Sequence, residues 1–368
     1  DGALVLRPGY RQVYAGTNVR GALAIRDVVL VADGDKLVEY SARTDSSRVI
    51  RSIDMVGGFA GAVLNDELFF CTETECLRYK DGVVREWGVP TAAEPAVSAV
   101  TGAAPSLPGL YRVAATLVNA HGEEGGVYRS KVISVPEGRT LSVTPPTAPA
   151  GYTLRLYASA VNGATLYLQA ENPVGQLLLT APRDDTQRLV TEGETPPEPG
   201  QWIAAINGTL AVATRTSVWL TNPMRPHSRR YAERFFQYPS VVGMLVPCGD
   251  GLYVSADKTY FVGNVDGDPT QRTVLDYPAI SGTGVVLPGA DAADQRRVGW
   301  MTPYGLAVGA PGGGVTLPSE THYAPRVGDA GSSGVVECDG VRAVVTTMRG
   351  QTGRNPLAAR DYFEVEIV

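Results

Sequence analysis

The chain has 368 residues, 44% hydrophobic and 19% charged, with a formal net charge of -6. That is ample material for two cores, and the acidic balance argues against general nucleic-acid binding, which needs a basic surface. The 42 Gly and 26 Pro alternate with apolar runs throughout, as in a protein of many tight turns, and no apolar run is long enough to span a membrane.

Taken in order, short apolar runs are punctuated by Gly, Asp and Asn turns. Ala22–Ile25, Val28–Ala32, a turn at Asp33-Gly34-Asp35 and Leu37–Ser41 form a first unit. Ala60–Leu64, Asn65-Asp66, Leu68–Thr72 and Cys76–Lys80 form a second. After a long gap come Trp202–Ile206, Asn207-Gly208, Thr209–Thr214 and Ser217–Thr221. The clearest copy follows: Val241–Val246, a Gly249-Asp250-Gly251 turn, Leu252–Ala256 and Thr259–Gly263. Val298–Thr302, Leu306–Gly309 and Val315–Leu317 make a fifth, and Val335–Cys338, Val341–Thr347 and Tyr362–Val368 a sixth.

Each unit reads as strand, hairpin, strand, hairpin, strand, a sheet that no helix covers and that must stack on its copies. Counted from the residue closing each turn, at Gly34, Asp66, Gly208, Gly251, Gly305 and Gly340, the steps are 32, 142, 43, 54 and 35 residues. Repeats of roughly 40 to 50 residues made only of short strands mark propeller blades, and radial closure hides their edges. The expectation is an all-β chain with a β-propeller of about six blades. Ala3–Tyr14 is expected to close the ring on the last blade.

The step of 142 exceeds one blade by about an immunoglobulin-sized domain. Pro90–Pro108 and Glu192–Gly200 (EGETPPEPG) read as linkers into and out of an insertion. Between them, alternating runs at Gly109–Ala120, Val127–Val135, Thr140–Val143, Thr153–Ala158 and Ala164–Ala170 describe a β-sandwich. The expected division is propeller over 1–90, inserted sandwich over 91–195, and propeller with ring closure over 196–368.

Residues that could carry chemistry are few. Cys71, Cys76, Cys248 and Cys338 are too scattered for a disulfide scaffold. Cys71 and Cys76 flank a turn and could pair or bind metal, but nothing near in sequence completes a zinc site, so reduced thiols are expected. His121, His227 and His322 sit in loop patterns with no nucleophile motif beside them, which favours surface positions. The adjacent acids Glu123-Glu124 and Asp184-Asp185 would point to opposite faces of a strand and cannot act as a glycosidase pair, so turn or solvent roles are expected. Ser255–Tyr260 resembles the aspartate box of sialidase-type propellers, a structural hairpin tie, without its usual Gly and final Trp. No catalytic, cofactor-binding or metal-ligating residue is assigned, and the chain reads as a non-enzyme.

One basic stretch stands out, PMRPHSRRYAER, with Arg225, Arg229, Arg230 and Arg234 around the single aromatic Tyr231. With so little aromatic interleaving, a solvated or subunit-facing loop is favoured over a nucleic-acid contact. Tyr231, Tyr238, Tyr304 and Tyr323 read as loop-tip tyrosines of the kind interfaces use, or as caps on blade edges. The interaction candidates are therefore Arg225, Arg229, Arg230, Tyr231, Arg234, Tyr304 and Tyr323.

A family resemblance enters at the insertion. Leu110–Thr116, then Val118-Asn119-Ala120-His121-Gly122-Glu123-Glu124-Gly125, Leu154–Ser159 and Leu166–Glu171 resemble the fibronectin type III-like modules of tailed-bacteriophage structural proteins. This copy departs from that pattern at His121 and Ala158. The opening Asp1–Tyr10, with its Arg7-Pro8-Gly9 turn, and the Ile206–Ala213 blade are similar to segments of phage tail propellers. The resemblance implies a virion tail component, a nozzle, hub or fibre-bearing adaptor, assembled in the bacterial host cytoplasm. Its implied partners are copies of itself in a symmetric ring and other tail, adaptor or fibre proteins, with DNA passing without specific binding through a ring whose acidic wall would let it slide. Two other classes compete. A carbohydrate-binding propeller would gather Trp87, Trp219 or Trp300 at one exposed pocket, and a propeller hydrolase or lyase would converge carboxylates or arginines on the central axis.

Overall fold

The computed structural model describes residues 12–54, 57–102, 104–287, 296–318, 328–338 and 341–349. Two-residue turns set its strand order. Asn65-Asp66, Asp81-Gly82 and Asn207-Gly208 all have positive φ at both positions (51° and 60°, 48° and 84°, 46° and 75°). That is the type I′ geometry whose twist matches paired antiparallel strands, and it is why Asn, Asp and Gly stand there.

Five four-stranded antiparallel meanders result. The first holds β1 (Val19–Ile25), β2 (Val28–Asp33), β3 (Lys36–Ser41) and β4 (Ser46–Ser52). The second holds β5 (Ala60–Leu64), β6 (Glu67–Cys71), β7 (Cys76–Lys80) and β8 (Val83–Glu86).

The chain then leaves this pattern for two facing sheets. They are built from β9 (Ala96–Val100), β10 (Gly109–Asn119), β11 (Lys131–Val135), β12 (Thr140–Thr144), β13 (Tyr152–Ser159), β14 (Leu166–Glu171) and β15 (Leu177–Leu179). One sheet runs β11-β10-β13-β14 and the other β15-β12-β9. Tyr111, Val113, Ala115 and Leu117 of β10 meet Leu141 and Val143 of β12 in one buried core, so this is a β-sandwich. Two linker readings are corrected here. Residues 96–100 of the inbound segment form a strand, because Ala96–Val100 finds an edge to pair with on Thr140–Thr144. In the outbound segment β16 (Glu194–Thr195) pairs with β20 (Arg229–Arg230).

The meanders resume with β17 (Trp202–Ile206), β18 (Thr209–Thr214), β19 (Ser217–Leu220) and β21 (Phe235–Gln237). Next come β22 (Met244–Cys248), β23 (Gly251–Ser255), β24 (Thr259–Gly263) and β25 (Thr270–Leu275). The fifth holds β26 (Val285–Leu287), β27 (Arg297–Thr302), β28 (Gly305–Gly309) and β29 (Val315–Thr316), with a short 3-10 turn at Pro311–Gly313. A hairpin of β30 (Ala330–Cys338) and β31 (Val341–Arg349) follows. Among the described residues there is no α-helix, and no helix is long and apolar enough to cross a membrane.

The first strands of successive sheets are neighbours: β1 lies against β5, β5 against β17, β17 against β22, β22 against β26, and β26 against β30. That succession is propeller-like, and the sandwich does not interrupt it. Measured between first-strand starts at residues 19, 60, 202, 244, 285 and 330, the steps become 41, 142, 42, 41 and 45. The uneven spacing of the turn residues was a matter of phase. Gly34 and Gly305 belong to the second hairpin of their sheets, whereas Asp66 and Gly208 belong to the first. The ring closure expected of Ala3–Tyr14 on the last blade falls outside the described residues for 3–11 and for Tyr362–Val368.

The second, third and fourth sheets are packed on both faces. On β6, Leu68 and Phe70 pack with Leu30 and Leu37 of the first sheet, while the alternate Phe69 and Cys71 pack with Ile203, Leu210 and Val212 of the third. The third and fourth sheets share Ala211, Leu220, Leu252 and Val254, and the fourth and fifth share Tyr253, Phe261 and Trp300. Burial of each Leu, Ile, Val or Phe among them is worth about 1.5–3 kcal/mol, and the period of two along each strand divides it between neighbours.

Candidate interaction surface

The sandwich meets the second and third sheets at one joint. The turn from Asn119 to Gly126 carries it, and two glycines let it seat. A Cβ on Gly125 would meet the Pro90 carbonyl at 2.9 Å, and one on Gly126 the Glu194 carbonyl at 2.0 Å. Chain thus passes closely on both sides of the turn.

From that turn Glu123 reaches the second sheet. Its carboxylate accepts both terminal nitrogens of the Arg78 guanidinium, one at 2.7 Å, and the Asn119 amide at 2.6 Å. Arg78 lies on β7, only 2% exposed, with Glu67 at 3.7 Å. Burial works to raise the Glu123 carboxyl, but the bonds from Arg78 and Asn119 outweigh it and hold it down to about 2. Buried His227 has Nδ1 3.8 Å from Glu123 Oε1, and burial keeps its pKa below the ordinary value despite that carboxylate. Beside them, Arg85 Nη1 lies 2.8 Å from His121 Nε2 and Arg85 Nη2 donates to Glu67 at 2.7 Å. Glu124 turns the other way, accepting Thr116, Tyr157 and Arg155 within the sandwich. The adjacent acids diverge from a turn, as a turn role would have it, but the solvent role is corrected. Both are tied into ion pairs, and His227 is a buried joint residue.

The arginine stretch locks the outbound segment. Arg225 donates to Glu194 Oε1 at 2.6 Å, and Ser228 Oγ to Glu194 Oε2 at 2.8 Å. Arg229 donates to Glu198 and lies 4.1 Å from the ring centre of Trp219. Glu192 accepts Arg112 and Ser130 of the sandwich. Each glutamate of EGETPPEPG therefore holds an arginine. Arg230 pairs with Glu233 at 3.1 Å, and Arg234 lies 4.0 Å from Asp266. All four arginines of the stretch face carboxylates, so the positive charge is locally compensated. Trp87, buried against Phe69, donates Nε1–H to the Pro226 carbonyl at 2.7 Å and fastens the same stretch from below.

The exposed side of the joint carries an aromatic cluster. Trp219 stacks on Phe235 (centroids 4.7 Å apart) and Tyr231 (6.4 Å), and Tyr231 meets Tyr128 of the sandwich edge-on at 4.9 Å. Tyr128, Tyr231 and Phe235 are 57%, 45% and 43% exposed, a contiguous patch that bridges sandwich and third sheet. Such a patch can offer amphipathic contact area without loose side chains. Tyr304 lies elsewhere, packed on Tyr277 at 4.6 Å on the fifth sheet, and Tyr323 lies outside the described residues. Tyr238 is buried between the third and fourth sheets and is not a loop tip. The tryptophans are not gathered. Trp87 and Trp300 are buried in separate inter-sheet cores, and Trp219 is covered in part by Arg229. Among the described residues no group of three His, Cys, Asp or Glu is placed to hold a metal ion.

Phe235 and Tyr128 were missed from sequence. Phe235 follows the basic stretch directly and could have been read with it, whereas Tyr128 reaches Tyr231 only through the tertiary fold.

No protein-family model matches the chain, and no curated protein matches it. Among solved structures it is similar to BBS1N crystallised in complex with ARL6DN, at 11% identity over 92% of this chain and 90% of that one, TM-score 0.37. It is also similar to the N-terminal domain of Nup159 (11%, 89% and 72%, TM-score 0.35) and to apo AztD from Citrobacter koseri (14%, 82% and 84%, TM-score 0.29). At those scores the likeness carries no argument, and the propeller-like assignment rests on the succession of sheets.

Proposed function

We propose that this protein is a structural component of a bacteriophage tail, a nozzle, hub or fibre-bearing adaptor, working as a docking scaffold in a symmetric ring of identical copies. In this reading the successive sheets are blades of a six-bladed propeller and the inserted sandwich is its fibronectin type III-like module. The observation that supports it is the joint. Arg78–Glu123 ties the sandwich directly to the second sheet, Arg112–Glu192 ties it to the outbound segment, and Arg225–Glu194 and Arg229–Glu198 tie that segment to the third sheet, which Trp87–Pro226 fastens to the second, so the module acts as a lever of fixed direction and not as a tethered domain. A part that transmits position between neighbours needs that stiffness, and the exposed Tyr128–Tyr231–Phe235 patch beside the joint gives the neighbour its contact area.

Native mass spectrometry of the purified full chain tests the reading. Closed oligomers of one copy number are expected, dissociating when Tyr231→Ala and Phe235→Ala are combined. A strictly monomeric protein that binds sugars on a glycan array would replace this function with carbohydrate recognition.

A further inference from the structure

Cys71 and Cys76 face each other across the β6–β7 hairpin, register partners with their Sγ atoms 3.3 Å apart. The Thr72 N–H donates to the Glu75 carbonyl at 3.0 Å one step further along, which makes Cys71–Cys76 a non-hydrogen-bonded pair. In such pairs the Cα atoms stand about 4.5 Å apart, inside the range a disulfide accepts. Closing the sulfurs to a bond of about 2.0 Å takes roughly 1.3 Å of approach, within reach of side-chain rotation. The hairpin is also held from turning away: Thr72 Oγ1 accepts the Glu75 N–H at 3.0 Å, and Glu75 accepts Arg51 at 2.7 Å from the neighbouring sheet.

We propose that Cys71 and Cys76 are an oxidisable pair that closes to a cross-strand disulfide on exchange with a low-molecular-weight disulfide such as oxidised glutathione. Cys71 is buried in the core between the second and third sheets and Cys76 is half-buried at its margin, so Cys76 is the thiol a small disulfide reaches. Its thiolate attacks one sulfur of the reagent, expelling one thiolate and leaving a mixed disulfide. Cys71 then gives up its proton and attacks Cys76 Sγ, expelling the second thiolate. Two protein thiols are oxidised, one reagent disulfide is reduced to two thiols, and the protons leave with them. The contact with Cys71 and burial push the Cys76 thiol above its ordinary pKa, and the charge of Arg229 works against that rise. The first step is therefore slow at neutral pH and quickens with alkali. The product staples β6 to β7 where both touch the third sheet, beside the Arg229 clamp.

Trypsin leaves both cysteines in one peptide, residues 52–78, because no Lys or Arg lies between Arg51 and Arg78. After incubation of the folded full chain with oxidised glutathione, acid quench, and alkylation in denaturant, that peptide is expected about 2 Da lighter and unalkylated. Cleavage after Glu73 and Glu75 should leave its halves joined. The Cys71→Ser variant should stall as a glutathione adduct on Cys76; if it does not fold, the same adduct should appear transiently in the wild-type time course. The folded chain should also oxidise at a glutathione disulfide level at least about tenfold lower than the chain in urea, since the register holds the sulfurs together. Two alkylated thiols in the folded chain, a stable adduct with Cys71 free, or equal levels in the two states would each overturn the proposal.

Discussion

Replacing Glu123 by Gln removes one charge from the joint and leaves Arg78 in place. The guanidinium is 2% exposed and, among the described residues, would keep only Glu67, at 3.7 Å, as an ion-pair partner. Orphaning a buried charge costs about 3–5 kcal/mol, and the remaining carboxylate moves the expectation to the lower end. The carboxyl itself gives an independent figure. Held at about 2 against an ordinary 4.5, it represents about 3 kcal/mol of folded-state preference at 1.36 kcal/mol per tenfold. Both routes predict a loss of about 3 kcal/mol. Urea unfolding followed by tryptophan fluorescence reads it, since Trp87 bonds Pro226 in the same joint. Pairing the change with Arg78→Met should recover part of the loss, because the buried charge is then gone as well. A loss below about 1 kcal/mol, or strict additivity of the two substitutions, would refute the view of this pair as the main tie between sandwich and propeller.

Acid should loosen the joint in two stages. Both Glu123 and His227 are held below their open-chain pKa, so each binds more protons unfolded than folded, and stability falls as pH falls. His227 begins to count as pH drops through about 6.5, and Glu123 between about 4.5 and 2; a joint whose unfolding midpoint rises on acidification over that span would contradict the geometry. Gly126→Ala should destabilise by about 1–3 kcal/mol or more, because its Cβ would sit 2.0 Å from the Glu194 carbonyl, whereas alanine at Gly122, with open space around it, should cost only the strain of its positive φ. Arg229→Lys should not restore what Arg229→Ala loses, since lysine cannot both lie flat over Trp219 and hold Glu198; full rescue in thermal melts would say the contact is a simple charge. Neutralising Arg225 or Arg230 should leave retention on heparin unchanged, because each is already paired.

Much of the sheet pattern was legible because the turn chemistry is local. Asn65-Asp66 and Asn207-Gly208 announce their hairpins, and the inner strands are short, nearly continuous apolar runs buried on both faces. The outermost strands were missed for a physical reason. β4 and β25 are mostly exposed along their length, so they carry no apolar period to read, and β8 and β21 are short. The joint was less legible still. The arginine cluster shows in sequence, but Glu194 and Glu198 lie 31 residues from the arginines they hold, and Arg78 lies 45 residues from Glu123. Such pairs exist only once two sheets and an insertion have met, and no periodicity within one segment records them.

The claim at the centre of this account is a rigid module on a propeller that assembles with its own copies. Electron microscopy of the purified full chain measures it directly. Rings of identical subunits with the sandwich projecting at one fixed angle are expected; isolated copies, or a sandwich averaged away by swinging about its linkers, would contradict it.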